Sequence, residues 1–289
     1  MASLRSNHIV SAEELRDELL HGGVIVLDIR ISAHGRGGRD LYLNGHIPGA
    51  LFVDLDVDLC GTATAQSGDR PLPETDSLTE SLRRWGITPE SSVVVYDDSR
   101  SAPAGRAWWI LRWAGLSRVR LLDGGLTAWT DAGERLATGE EQAPRGTIIA
   151  RPGQLQIIST SRIPAVSRNG VLLDARPPEL YGGVSEGGGH IPGAVSASVF
   201  DDLDHTGKLR EESVLRARYE TLGVIAGGTS AVTYCGSAVA AALQVLVLST
   251  IGVEAALYVG SFSQWTADPR CPIPRAGGPT LPSTFTRLT

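Results

Sequence analysis

Two hydrophobic patterns alternate along the chain. Residues 24–27, 93–96, 119–122, 171–173, 231–234 and 256–259 are short, nearly unbroken apolar runs. Such runs suit strands covered on both faces. Between them lie stretches of helical length. Ser11-Ala12-Glu13-Glu14 has the form of a capping box and predicts a helix ending near His21-Gly22-Gly23. Residues 107–113 predict a second helix, closed by Gly115, and another begins near Val239. The most apolar stretch, residues 238–253, contains Gln244 and is too short to span a bilayer without strain, so it reads as a buried helix. Strands separated by helices imply right-handed βαβ units and a parallel sheet.

The pattern occurs twice. Leu27-Asp28-Ile29-Arg30 returns as Leu173-Asp174-Ala175-Arg176, and Gly45-His46-Ile47-Pro48-Gly49-Ala50 returns unchanged at 189–194. Val94-Val95-Tyr96 is answered by Val232-Thr233-Tyr234, and the block 124–129 by 260–265. Four blocks in one order mark an internal duplication. The expected organisation is a first domain over 1–133, a linker over 134–156 rich in Gly, Pro and charge, and a second domain over 157–289. The Pro-rich end, 269–282, reads as a surface tail.

Composition narrows the class. The 289 residues are 42% hydrophobic and 20% charged, as in globular proteins, and the net charge of -6 comes from interspersed signs. No basic face for nucleic acid or an anionic membrane is expected. The first ten residues carry polar side chains where a secretion signal needs an unbroken apolar run. Cys60, Cys235 and Cys271 form neither a disulfide framework nor a zinc pattern, so a reducing, cytoplasmic setting is expected, with no metal and no cofactor.

Chemistry concentrates at Cys235. It directly follows the strand-like run 231–234, and parallel sheets bind ligands beyond the carboxyl ends of their strands. The small residues Gly236-Ser237-Ala238 and the helix that follows would turn backbone N–H groups and positive helix charge toward the sulfur. That cradle suits a thiolate, a persulfide or an oxyanion. The alternative is an inert core cysteine. The matching place in the first half is Asp97. A pair so different points to a loop that solvent reaches in both halves, with the nucleophile kept only in the second.

These blocks, with Tyr234-Cys235-Gly236-Ser237 and the stretch 260–265, resemble the tandem-domain rhodaneses, the thiosulfate and 3-mercaptopyruvate sulfurtransferases. The resemblance runs from about residue 8 to 268. It implies two tandem rhodanese-like α/β domains, each a central parallel sheet flanked by helices, with catalysis in the second. It implies a Cys235 persulfide that moves sulfur from a small-molecule donor to a thiol or cyanide-type acceptor, such as a thioredoxin-like protein. It implies substrate contacts from Gly236, Ala238, Val239 and Ala240, carboxylate recognition by Arg176, and a proton relay through His46 and Ser237.

Each role has a plainer counterpart. Arg176 could simply pair with Asp174, Ser237 could cap the helix, and His46 shares its motif with His190, which suggests scaffold duty. The loop Cys235-Gly236-Ser237-Ala238-Val239-Ala240 resembles that of mercaptopyruvate-type members and carries no cation for a dianion, so mercaptopyruvate is expected ahead of thiosulfate. Two departures stand out. Tyr181-Gly182-Gly183 lacks an arginine that members often have there, and Ala238 and Ala240 replace the usual Gly and Thr. If residue 238 needs positive φ, alanine there is strained. A cysteine phosphatase would need Arg at 241, where the chain has Ala241. The remaining alternative is a sulfur carrier or binding module without turnover.

Overall fold

The computed structural model describes residues 4–31, 37–64, 66–183, 188–228 and 230–274. The first half runs β1 (Ile9–Val10), α1 (Ala12–His21), β2 (Val24–Arg30), α2 (Gly38–Asn44), β3 (Leu51–Asp54), α3 (Leu55–Asp58), α4 (Thr75–Arg84), β4 (Ser92–Tyr96), α5 (Ala102–Trp113), β5 (Val119–Leu122) and α6 (Gly125–Asp131). The second runs α7 (Ile163–Asn169), β6 (Val171–Asp174), α8 (Pro178–Tyr181), β7 (Val195–Ser196), α9 (Glu212–Thr221), β8 (Ala231–Tyr234), α10 (Val239–Thr250), β9 (Ala255–Leu257) and α11 (Ser261–Ala267). Two wholly parallel sheets result, ordered β1-β5-β4-β2-β3 and β7-β6-β8-β9.

The local signals were sound. Ser11 and Glu14 form both arms of the capping box on α1, and Gly22 ends the helix. The helix expected over 107–113 begins earlier, at Ala102, because Pro103 fits a first helical turn. The last strand stops at Leu257, two residues before the apolar run does. Strands β1, β3 and β7 are too short or too mixed to stand out by periodicity. Residues 134–156 contain no helix or strand, but Ile148 and Ala150 are buried against the first domain. The chain then enters the second sheet at once, since Ile158 N–H donates to Leu257 O and Leu257 N–H to Gln156 O. Of the expected tail, residues 275–282 lie outside the described residues. Residues 269–274 dock on the second domain, where Pro272 O accepts from Trp265 Nε1 and Pro274 O from His190 N–H.

Helices α5 and α10 pack on each other and join the two halves. A Cβ on Gly105 would stand 2.6 Å from Leu243 Cβ, so only glycine permits this approach. Helix α10 is apolar all round because it is covered all round. Its buried Gln244 donates to Ala197 O at 2.6 Å, and its buried Thr250 donates to Val247 O. Among the described residues no helix is long and apolar enough to cross a membrane.

The packing also creates an acid-sensitive point. His8 stands edge-on to Trp108 at 5.6 Å, and its buried Nδ1 has no hydrogen-bond partner. Burial, aided by Arg112, lowers its pKa from 6.5 to about 4. The folded chain therefore binds fewer protons than the unfolded chain between these values. The stabilising share of neutral His8 is complete above pH 6.5 and is lost as pH falls through 4. Melting temperatures at pH 7 and pH 5 should fall further apart in the wild type than in His8→Gln. Equal acid losses in the two proteins would remove His8 from the account.

Candidate active site

Cys235 leaves β8 with its backbone pinned on both sides. Its N–H donates to Ser261 Oγ (3.2 Å), and its carbonyl accepts from Phe262 N–H (2.8 Å). Gly236 O accepts from Ser263 N–H at 3.0 Å. Ala238 is the N-cap of α10 and sits at φ 59°, ψ 19°, the left-handed conformation that the usual glycine would adopt freely. The first N–H groups of α10 have no intrahelical acceptor, and with the helix dipole they favour negative charge beside the thiol. Gly236, Ser237, Val239 and Ala240 all keep some exposed surface, whereas Ala238 is fully buried.

The first domain shows the same loop already filled. Asp97 follows β4 as Cys235 follows β8, and Ser101 caps α5 at φ 65°, ψ 0°. The Asp97 carboxylate accepts N–H bonds from Ser99 (2.7 Å), Ser101 (2.9 Å) and Ala104 (2.8 Å). Burial pushes its pKa up to about 6 against these three donors. Solvent reaches both loops, at Asp98, Ser99 and Arg100 in the first half and at Gly236 and Ser237 in the second, but the two residues at issue are themselves buried, Asp97 at 1% and Cys235 at 3% exposure. A buried carboxylate is tolerated because amides meet its charge. Cys235 is packed into the apolar core, and residues 66–71 of the first domain lie against the neighbouring 260–264 stretch. Asp69 N–H donates to Ser263 Oγ at 3.0 Å, Gln264 Nε2 donates to Gln66 O, and Gly68 touches Gly260.

Arg70 in that segment donates to Ser237 Oγ at 3.0 Å while its Nε holds Asp56 at 2.7 Å. Ser237 therefore does not cap α10, and no side chain does. Arg106 on α5 is completely buried and donates Nη2 to Arg70 O (3.1 Å) and Pro71 O (3.4 Å) of the same segment. The loop carries no cation of its own, but the opposite domain brings Arg70. The sequence gives no sign of it, since periodicity does not say which segment meets a loop more than a hundred residues away.

The two Leu-Asp-x-Arg blocks build matching structures. Arg176 gives Nε and Nη2 to the Asp174 carboxylate (2.9 and 2.6 Å) and Nη2 also to Gly189 O (2.6 Å). Its guanidinium stands 4.0 Å from the centre of the Phe262 ring. Arg30 holds Asp28 and Gly45 O in the same way, and its Nη1 takes a further partner, Asp98. Among the described residues Nη1 of Arg176 makes no hydrogen bond.

His46 lies apart from these groups. Its Nδ1 meets Tyr42 O at 2.8 Å and its ring stacks on Tyr42 at 4.1 Å. His190 repeats this with Tyr181, at 3.1 Å and 4.1 Å. None of the described contacts of His46 reaches Cys235 or Ser237. Trp129 and Trp265 are core anchors, each donating Nε1 to a carbonyl.

Fold and loops together define a class: tandem parallel-sheet α/β domains with a thiol at one strand end and a carboxylate at its counterpart. A family model described as the rhodanese-like domain matches residues 11–132 and again 164–268. The chain belongs to the rhodanese-like family. Over 279 residues it is 38% identical to SseB of Mycobacterium tuberculosis, whose name gives thiosulfate sulfurtransferase as an unproven assignment; the match covers 94% of this chain and 98% of that one. It is 30% identical over 276 residues to the 3-mercaptopyruvate sulfurtransferase of Escherichia coli, covering 91% and 96%. The crystal structure of SseA from Escherichia coli, described as a 3-mercaptopyruvate sulfotransferase of rhodanese fold, matches with a TM-score of 0.78 at 28% identity, covering 88% of this chain and 98% of that one.

Proposed function

We propose that the protein is a sulfurtransferase that carries sulfane sulfur as a persulfide on Cys235. The proposed donor is 3-mercaptopyruvate ahead of thiosulfate, and the acceptor a thiol or cyanide-type nucleophile. One observation carries this reading. The first domain holds within its own chain the two carboxylates that the second lacks. Asp97 fills the amide cradle and Asp98 occupies Nη1 of Arg30. In the second domain Cys235 stands at the first place, and Arg176 is fixed as Arg30 is. A persulfide anion would take the role of Asp97, and the donor's carboxylate that of Asp98.

The steps balance simply. The Cys235 thiolate attacks the donor sulfur and a new S–S bond forms. With mercaptopyruvate the C–S bond breaks, and its electron pair leaves as the pyruvate enolate, which takes a proton. With thiosulfate the donor S–S bond breaks and sulfite leaves. An acceptor nucleophile then attacks the outer sulfur and regenerates the thiolate. Ser237, held by Arg70, is the hydroxyl best placed to pass a proton. His46 is engaged with Tyr42 and needs no share in this route. Three unpaired cysteines suit a reducing, cytoplasmic setting.

Steady-state rates with mercaptopyruvate and thiosulfate, measured with one common thiol acceptor, test the proposal. Faster turnover with mercaptopyruvate supports it, and the reverse order would replace the donor. Uptake of one sulfur without turnover would identify a carrier instead.

The strained cap gives a smaller prediction. Left-handed alanine costs roughly 1–2 kcal/mol relative to glycine. Against this, Ala238→Gly removes a buried methyl worth about 0.8 kcal/mol and frees the unfolded chain by about 0.5–1 kcal/mol. Stability in urea should therefore shift by less than about 1 kcal/mol. With Ala240→Thr restoring a hydroxyl near the sulfur, turnover should rise about ten-fold, equivalent to about 1.4 kcal/mol. Lower turnover in the pair would show that the loop is already tuned as it stands.

A further inference from the structure

The amino-terminal ends of β4 and β5, opposite the Asp97 loop, open on a cavity of about 490 Å³. Arg112, Arg118 and Arg120 line it with Ser92, Ser117 and His8, and among the described residues no carboxylate does. A lining of one sign stands out in a chain of net charge -6. Arg120 is held from behind by Glu18, at 2.8 and 2.6 Å. Arg112 gives Nη1 to Ser117 O (2.9 Å) and lies over the Trp108 ring. Among the described residues the Arg118 side chain makes no hydrogen bond, and neither it nor Arg112 forms an ion pair.

Arg112 has a structural use, since it stands in the last turn of α5 and offsets the negative helix end. That use accounts neither for Arg118 nor for the buried Nδ1 of His8, which has no hydrogen-bond partner. Burial disfavours the charge on Arg112, and an anion in the cavity would offset that cost. A single carboxylate engages one guanidinium, whereas several arginines and hydroxyls around one space suit an anion with many oxygens. His8 and Arg112 also line an adjoining cavity of about 460 Å³ between α5 and α10, with Leu155, Val245 and Val253 in its walls. Both volumes fall in the range of small-molecule sites.

We infer that the arginine-lined cavity binds the phosphate groups of a small polyphosphate, with Arg112 and Arg118 as its cations. Ser92 and Ser117 supply further donors. The adjoining cavity favours a nucleoside polyphosphate over an inorganic one, because it has room and apolar wall for the organic part. The site shares no residue with the Cys235 loop and does not depend on sulfur transfer.

Isothermal titration calorimetry of the full-length protein with ATP and with inorganic tripolyphosphate, both free of divalent metal, tests this. The two probes share a phosphate chain and differ in the nucleoside. Saturable binding of both is expected, tighter for ATP. Arg118→Glu should weaken each by about ten-fold or more, as loss of a charge-assisted contact does. Arg118 is exposed, so this variant should fold and keep its sulfur-transfer rate. Arg112→Met should weaken binding to a similar degree. Arg168→Glu, on an exposed position of α7 outside both cavities, changes net charge equally. It should leave the affinities within about two-fold, since distant surface charges are screened. Equal affinity for the two probes would keep the phosphate site and name inorganic polyphosphate as its source. No saturable binding of either probe, or equal losses in Arg118→Glu and Arg168→Glu, would overturn the inference.

Discussion

Replacing Cys235 with serine should lower sulfur transfer at least about a thousand-fold, as loss of a covalent nucleophile does in other enzymes. The change is nearly isosteric and leaves the backbone bonds to Ser261 and Phe262 intact, so the fold should persist. Cys60→Ser and Cys271→Ser should keep most of the activity. Cys60 is partly buried, and burial pushes its thiol pKa up, against the formation of a nucleophile. Cys271 lies beyond α11, in the segment that docks on the second domain, with its thiol also shifted upward by burial. Rates of the three variants with one donor and one acceptor check this. Residual turnover above about one per cent in Cys235→Ser would require another sulfur-carrying group.

Arg176→Ala should have two separable effects. Asp174 is fully buried, and removing its partner leaves a charge without compensation, which costs roughly 3–5 kcal/mol. At about 2–4 °C per kcal/mol the melting temperature should fall by roughly 10 °C. Below that temperature, loss of the Nη1 contact should raise KM for mercaptopyruvate by roughly ten-fold to over a hundred-fold, equivalent to about 1.5–3 kcal/mol. Alkylation of Cys235 by iodoacetamide should stay nearly unchanged. Arg30→Ala in the first domain should reproduce the thermal loss, since its pair with Asp28 is the same, without the change in KM. If the two variants alter KM alike, Arg176 serves only the scaffold.

The duplication makes most of the fold legible in the amino-acid sequence. Paired blocks place both sheets, and the Ser11–Glu14 box places the first helix to the residue. The strand-end cysteine is equally legible, because the rule that sites lie beyond strand ends needs only local sequence. Two physical facts are out of its reach. The small-residue loop suggests access to solvent, and Gly236 and Ser237 have it, yet Cys235 itself packs into the apolar core, and the approach of residues 66–71 to the 260–264 stretch has no periodic signature. Asp97 looks like a substitution that solvent makes harmless. It is instead a buried carboxylate in an amide cradle, and it shows what that cradle was shaped to hold. Arg70 escapes notice for a related reason. It reads as an ordinary charged residue in its own segment, and only the packing of residues 66–71 against the second domain brings it to Ser237.

The central claim is that sulfur rides on Cys235 and on no other residue. Intact mass of the full-length protein, recorded after incubation with 3-mercaptopyruvate and removal of excess donor, tests it most directly. The account predicts a gain of one sulfur atom, mapped to the peptide containing Cys235, removed by a thiol reductant and lacking in Cys235→Ser. A sulfur adduct that persists in Cys235→Ser, or that maps to Cys60 or Cys271 in the wild type, would contradict it.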